Sequence, residues 1–197
     1  LKADYPMLSA APERLVFTII PVQTAMLAAL KDEQIDVTSQ IDAEDFVGLR
    51  DNELVSGRYE LHTPPALVYY FIGLNNKSPK LADKRVRQAL AHLLDVDELI
   101  NTLYNGLATR TVGPFHPTKP YYHDELPPIP FDPEQARSLL AEAGWEDTNG
   151  NGIVDKNLNG VLTELELDYI ISSASKFANN QALLFQDNAK RAGVSIN

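Results

Sequence analysis

The chain has 197 residues, of which 44% are hydrophobic and 22% charged, and this composition is typical of a folded globular protein. Its formal net charge of −10 argues against a nucleic-acid-binding surface, because phosphate binding needs clustered Lys and Arg side chains. The chain has no cysteine, which excludes disulfides, thiolate metal sites and cysteine nucleophiles. No apolar run approaches the roughly 20 residues that span a bilayer.

The first third of the chain predicts a β-α-β unit. The run 15–20 (LVFTII) is typical of a strand, residues 22–31 carry the apolar stripe of a helix, and residues 35–37 predict a second short strand. A short helix is then expected to begin at Asp42. Residues 58–63 alternate between apolar and polar side chains, which predicts a half-exposed strand.

The stretch 66–100 predicts the centre of the fold. Residues 67–74 are apolar without interruption and rich in β-branched and aromatic side chains, as in an interior strand covered on both faces. A helix is expected next, because apolar residues recur with helical spacing at Val86, Ala89, Leu90, Leu93 and Leu94. Asp95 is placed to cap the N-terminus of a second helix that begins at Val96.

The segment that follows is rich in proline. Residues 106–130 contain six prolines, so they predict a long loop that is either functional or wrapped over the surface. The pair Asp132-Pro133 then predicts a helix start, with the carboxylate as the cap and proline in the first turn. Gly144 is expected to end that helix.

The C-terminal quarter predicts two strands and a helix. Residues 165–172 alternate as a strand does, residues 177–191 form an amphipathic helical pattern, and residues 194–197 begin another strand. Residues 58–74 can also pair as an antiparallel hairpin. Because strands and helices alternate along the chain, we predict an α/β fold with a mixed β-sheet flanked by helices.

One segment matches the first nine positions of a Ca²⁺-binding EF-hand loop. Its four oxygen-bearing candidate ligands are Asp147, Asn149, Asn151 and Asp155. The match fails at position 12, where Leu158 replaces the closing glutamate, and Glu164 could substitute only if the chain folds back. Asn, Asp and Gly also favour plain turns, so the sequence predicts either no cofactor or Ca²⁺ in this loop.

Aromatic residues give the candidate ligand-binding site. On the predicted central strand Tyr69 and Phe71 point to one face, and Asn75 follows at its end. If this strand ends at a cleft, the three side chains are placed to stack on a ligand and to hydrogen-bond with it. The alternative is that both faces of the strand belong to the core.

The sequence offers no organised catalytic motif. It lacks Gly-x-Ser-x-Gly, Ser-x-x-Lys and a glycine-rich phosphate loop, so we expect no enzymatic activity. Two alternatives stay open. One is a hydrolase that uses carboxylates near the proline-rich loop, and the other is an interaction module that docks another protein through residues 106–130.

The order of several motifs resembles a known family. LVFTIIPVQTAMLAALKDEQIDV is followed by LVYYFIGLNN, LADKRVRQALAHLLDVDELI, GLATRTVGP and FDPEQARSLLAEAGWEDTNGNGIVD. This succession, from about Glu13 onward, is similar to the extracytoplasmic solute-binding proteins of ABC transporters that carry oligopeptides, dipeptides and nickel. Its most specific parts are residues 83–91, 95–97 and 132–145.

The resemblance implies one lobe of a two-lobed, type II periplasmic-binding-protein architecture that encloses its ligand between the lobes. Residues 1–13 would then be an incoming linker, and residues 14–197 a single α/β lobe of a longer protein. The resemblance places Tyr69, Phe71 and Asn75 near the cleft. It weakens the Ca²⁺ hypothesis, because residues 145–155 have no generally assigned metal role in that family.

The resemblance also implies a function. It predicts capture of peptides, or of a related small solute, in the interlobe cleft and delivery to the permease subunits of an ABC importer. The expected location is periplasmic or at the cell surface. A signal or lipoprotein segment preceding Leu1 would be the only attachment to the membrane, and no nucleic-acid partner is expected.

Overall fold

A computed structural model describes residues 12–173 and 175–197. These residues belong to two compact units, one extending to Leu61 and the other from His62 to Asn197. Each unit has its own hydrophobic core. The predicted linker, residues 1–13, lies almost entirely outside the described residues.

The first unit is built from three helices, α1 (Gln23–Lys31), α2 (Ala43–Arg50) and α3 (Glu53–Ser56). The predicted helices at 22–31 and after Asp42 are therefore confirmed. One residue of each helix is buried in the core of this unit, namely Leu30, Leu49 and Val55. The Tyr59 hydroxyl lies 3.0 Å from the carbonyl oxygens of both Leu30 and Ile35, and this ties the segment after α3 to α1.

The strands predicted for the first unit are wrong. Residues 15–20, 35–37 and 58–63 form no strand in the described part of this unit. Phe17 and Ile19 are 89% and 93% exposed. A strand needs a partner for its backbone hydrogen bonds, and no described residue pairs with these segments, so a local strand pattern does not suffice.

The second unit contains α4 (Lys84–His92), α5 (Val96–Leu103), α6 (Pro133–Glu142) and α7 (Lys176–Lys190), with a short 3₁₀ helix at Pro79–Leu81. Helices α4 and α6 pack together in its core. The largest fully buried side chains of this core come from four separate segments and are Leu93, Leu140, Leu165, Val86 and Val194. All four helices were expected, α4 and α7 from the spacing of apolar residues, α5 from its cap at Asp95, and α6 from its cap at Asp132 together with an apolar face.

Helices α5 and α6 begin at the capping residues that the sequence predicts. Asp95 accepts a hydrogen bond from the Glu98 amide at 2.9 Å, and Asp132 accepts one from the Gln135 amide at 2.9 Å. Both predicted caps are confirmed. Gly144 ends α6 with a φ of +79°, in the left-handed region that glycine tolerates best.

The motif at the start of α4 has a structural role. Asp83 accepts a hydrogen bond from the Arg85 amide at 2.9 Å and forms an ion pair with the Arg85 guanidinium at 2.6 Å. Arg85 also donates to the Glu142 carbonyl at 2.6 Å, which joins α4 to the end of α6. These hydrogen bonds with Arg85 lower the pKa of Asp83 to about 2.

The strands form two small sheets. β1 (Asp155–Leu158) and β2 (Val161–Glu164) are an antiparallel hairpin, and β3 (Glu166–Leu167) pairs in parallel with β4 (Ser195–Ile196). The α/β class with both kinds of strand pairing is confirmed. The predicted strand 165–172 is reduced to β3, and the strand expected over 194–197 is present as β4.

The predicted central strand is wrong for this chain. Residues 67–74 form no strand, and neither do residues 58–63 with which they were expected to pair. Leu67 and Phe71 are each 75% exposed, whereas Ile72 and Leu74 pack against the core. The segment therefore reaches the core only at its C-terminal end, because no described strand pairs with the rest of it.

Among the described residues, no helix is long and apolar enough to cross a membrane.

Candidate functional site

The exposed residues Tyr69, Tyr70 and Phe71 form an aromatic wall on the second unit. Together with Thr111, Gly113 and Pro114 they line a shallow cavity of about 340 Å³. The exposed fractions of the three aromatic residues are 46%, 68% and 75%. Exposed aromatic side chains that border a concave surface are candidates for ligand contact.

Ring-ring contacts, both within the aromatic wall and with residues of neighbouring segments, restrain the side chains of the wall. Tyr69 and Phe71 stack on each other with centroids 5.5 Å apart and an interplanar angle of 29°. Tyr70 packs against Phe177 at 5.4 Å and Tyr104 at 6.3 Å. Tyr104 follows α5 and Phe177 lies in the first turn of α7, so Tyr70 fastens the wall to two helices.

The cavity is electrically neutral. None of the residues that line it has a side chain that is charged at neutral pH. Burial, followed by a hydrogen bond with Tyr70, raises the pKa of Tyr104, whose ring packs against Tyr70. Arg110, which precedes Thr111, donates to Asp97 at 2.7 Å and to the Ile129 carbonyl. Its guanidinium is engaged in holding the proline-rich loop to α5.

The structure brings together two of the three predicted ligand-binding residues. Tyr69 and Phe71 line the same cavity, while Asn75 is not among its lining residues. Instead, the Asn75 side chain accepts a hydrogen bond from the Lys77 amide at 3.1 Å within a turn. Ligand contact by the three residues stays a prediction. The sequence did not predict that Tyr70, Thr111, Gly113 and Pro114 line the same cavity, although the last three belong to the family-like motif GLATRTVGP.

A second cavity, of about 460 Å³, lies near the ends of α6 and α7. Two of its charged lining residues, Arg137 and Asp147, already have partners within the chain. Arg137 donates to Glu134 and to the Arg191 carbonyl, and Asp147 accepts hydrogen bonds from three backbone amides. Its floor includes the buried residues Leu140 and Trp145, which belong to the core. We therefore consider the cavity beside the aromatic wall the better candidate site.

The loop that resembles an EF-hand is closed by its own hydrogen bonds. Asp147 accepts from the amides of Gly150 and Gly152 at 2.8 and 2.9 Å. Glu164 does fold back over the loop, where it accepts from the side-chain amides of Asn149 at 3.2 Å and Asn151 at 2.7 Å. Both carboxylates therefore accept hydrogen bonds from within the loop.

The fourth candidate ligand, Asp155, is buried at 1% exposure. Its carboxylate accepts hydrogen bonds from the Thr148 amide at 3.0 Å and the Thr148 hydroxyl at 2.7 Å. Within the described residues, no group of three or more His, Asp or Glu side chains is arranged to hold a metal ion. The alternatives of no cofactor and of Ca²⁺ held by Asp147, Asn149, Asn151 and Asp155 both stay predictions.

Comparison with known proteins defines the class. The oligopeptide-binding protein AppA of Bacillus subtilis is 28% identical over 191 residues, which are 93% of this chain and 33% of AppA. Heme-binding protein A of Haemophilus influenzae is 28% identical over 185 residues, covering 94% of this chain and 31% of that protein. The chain spans about a third of the length of these relatives.

A solved structure has the same fold. The structure of Bacillus subtilis AppA in complex with a nonapeptide aligns with a TM-score of 0.68 and 26% identity, over 91% of this chain and 34% of AppA. The fold is therefore that of part of a type II periplasmic binding protein.

The family follows from a model that matches residues 3–197. The chain belongs to the bacterial extracellular solute-binding proteins, family 5 Middle. The resemblance seen in the sequence is confirmed, and the expectation that the chain is not an enzyme agrees with relatives that are binding proteins.

Proposed function

We propose that this chain supplies one wall of the solute site of a peptide-binding protein that serves an ABC importer. The observation that carries the proposal is the pair of exposed rings, Tyr69 and Phe71, beside the cavity of about 340 Å³. The names of AppA and of the dipeptide-binding protein of Escherichia coli support peptides as the solute class. Heme-binding protein A shows that a relative can take a different solute.

The physical argument is one of preorganisation. A binding protein gains affinity when its contact residues are fixed before the ligand arrives, because less side-chain freedom is lost on binding. Tyr69 and Phe71 restrain each other by stacking, and Tyr70 anchors the segment between them to Tyr104 and Phe177. Tyr and Phe also have few rotatable bonds for the contact area that they offer.

We further propose that residues 14–197 are part of one lobe of a longer, two-lobed protein. Two observations support this. The chain spans about a third of its relatives, and the apolar segments 15–20 and 67–71 have strand-like sequences but no described strand partner. In this proposal the opposite wall of the cleft comes from other polypeptide, and closure of the lobes encloses the solute.

The proposed location is outside the cytoplasmic membrane, with delivery of the solute to the permease subunits of the importer. The description of the family as extracellular supports this location. An anchor segment preceding Leu1 would hold the protein at the membrane.

Calorimetric titration tests the proposal. The natural protein that contains this sequence is titrated with peptides of two to nine residues and, separately, with nickel. We expect heat of binding from at least one peptide and a weaker affinity after Tyr69→Ala. A lack of binding by every peptide would contradict the proposal, as would a Tyr69→Ala variant that binds as tightly as the natural protein.

A further inference from the structure

The cavity beside the aromatic wall has an unusual lining for a site that would bind a charged group. The six residues that line it are Tyr69, Tyr70, Phe71, Thr111, Gly113 and Pro114. None has a side chain that is charged at neutral pH. We propose that this wall selects solutes that present an aromatic or other flat apolar group to it, and that it does not recognise a charged terminus. The inference rests on the proposed function.

The Thr111 hydroxyl in the lining is already engaged within the chain. The Thr111 hydroxyl donates to the Gly113 carbonyl at 2.9 Å, so its proton is engaged within the loop. Pro114 has no amide hydrogen to offer and adds a rigid apolar surface. The wall therefore offers ring faces and aliphatic carbon to a ligand, with few free hydrogen-bond donors.

Arg110, which immediately precedes Thr111 in the chain, also has partners of its own. A carboxylate of a solute would need a free cation, and the Arg110 guanidinium beside this loop donates to Asp97 and to the Ile129 carbonyl. Breaking that pair to bind a solute would release the proline-rich loop from α5. Tyr104, whose ring packs against Tyr70, has a neutral hydroxyl at pH 7 as an ordinary tyrosine does, and burial raises its pKa further. In this proposal the charged ends of a solute are recognised elsewhere.

The ring geometry suits a third flat group. Tyr69 and Phe71 lie 5.5 Å apart at 29°, within the range of offset-stacked aromatic pairs. Both side chains keep much of their surface exposed, at 46% and 75%. Adding an aromatic group to such a pair is expected to tighten binding by roughly threefold to tenfold relative to a small aliphatic group.

The test compares tripeptides that differ only at the central residue: Ala-Phe-Ala, Ala-Ala-Ala and Ala-Glu-Ala. Their affinities are measured by calorimetry on the natural protein that contains this chain, and on the variants Tyr69→Leu and Phe71→Leu. Both substitutions keep apolar bulk while removing the ring. Tyr121→Leu is the matched control, because Tyr121 is a 61% exposed aromatic residue that does not line the cavity.

We expect Ala-Phe-Ala to bind roughly threefold to tenfold more tightly than Ala-Ala-Ala, and Ala-Glu-Ala to bind most weakly. This preference should disappear in Tyr69→Leu and Phe71→Leu and persist in Tyr121→Leu. If a variant fails to fold, the affinities of the three peptides for the natural protein still test the predicted aromatic preference.

The failure of this inference is distinct from the failure of the proposed function. Equal affinities for the three tripeptides would overturn the aromatic preference and leave peptide binding intact. A preference that survives both substitutions would show that another surface selects the solute, and would also overturn the inference. If no peptide binds at all, the proposed function fails and the inference fails with it.

Discussion

Gly193 joins α7 to β4 at a point where a larger side chain has no room. Its φ is +73°, and a Cβ atom would lie 2.9 Å from Val154 Cγ1 and 3.3 Å from the Val154 amide nitrogen. The Gly193 carbonyl also accepts a hydrogen bond from that amide at 2.8 Å. The backbone of Val154 is therefore held next to the position that a methyl group would occupy.

The variant Gly193→Ala combines two costs. An alanine in the left-handed region costs about 1–2 kcal/mol, and the close contact with Val154 adds about 1–3 kcal/mol because a packed neighbour must move. Gly106→Ala is the matched control, since Gly106 has a φ of +75° and nothing within 4 Å of a built Cβ. Both variants lose similar freedom in the unfolded chain, so that contribution cancels in the comparison.

Urea denaturation followed by circular dichroism measures the difference. We expect Gly193→Ala to be less stable than Gly106→Ala by about 1–3 kcal/mol. Equal stabilities for the two variants would refute the reasoning, because they would show that the Val154 contact imposes no cost. A strongly destabilised Gly106→Ala would indicate that the backbone conformation alone dominates.

Two further predictions concern Asp83 and the calcium-like loop. Asp83→Ala should cost about 1 kcal/mol at pH 7, through the lost helix cap. Because the pKa of Asp83 is lowered to about 2 from 3.8, its contribution is present above about pH 4 and lost as the pH falls toward 2. The urea midpoints of the two proteins should therefore approach each other as the pH falls from 4 and converge below about pH 2, and a constant difference would contradict this. For the loop, we expect millimolar Ca²⁺ to leave the melting temperature unchanged, because Asp147 and Glu164 already accept hydrogen bonds. A rise that is lost in Glu164→Gln would establish a metal site there.

Most of the helices could be predicted from the sequence, because the signals that mark a helix involve residues close together in the chain. The caps at Asp95 and Asp132 were predictable because a side-chain cap involves residues only three positions apart. The hairpin of β1 and β2 was missed although its signal is also local. Its turn is Asn159-Gly160, with φ of +56° and +90°, and Asn-Gly is a strong indicator of a two-residue hairpin turn.

Long-range pairing explains the remaining errors. Residues 67–74 have the composition of an interior strand, yet a strand is defined by its partner, and the sequence of the segment does not say where that partner lies. For the candidate site, too, the local sequence does not show which distant residues contact each other. Tyr69 and Phe71 could be nominated from alternation, but Tyr70 is anchored by Tyr104 and Phe177, which lie 34 and 107 positions further along the chain.

The central claim is that a solute touches the aromatic wall. Fluorine NMR on the natural protein labelled with 3-fluorotyrosine tests it most directly, with the Tyr69 and Tyr121 resonances assigned from Tyr69→Phe and Tyr121→Phe. On addition of a peptide that binds, we predict that the Tyr69 resonance shifts while that of Tyr121 stays in place. A bound peptide that leaves the Tyr69 resonance unchanged would contradict the claim.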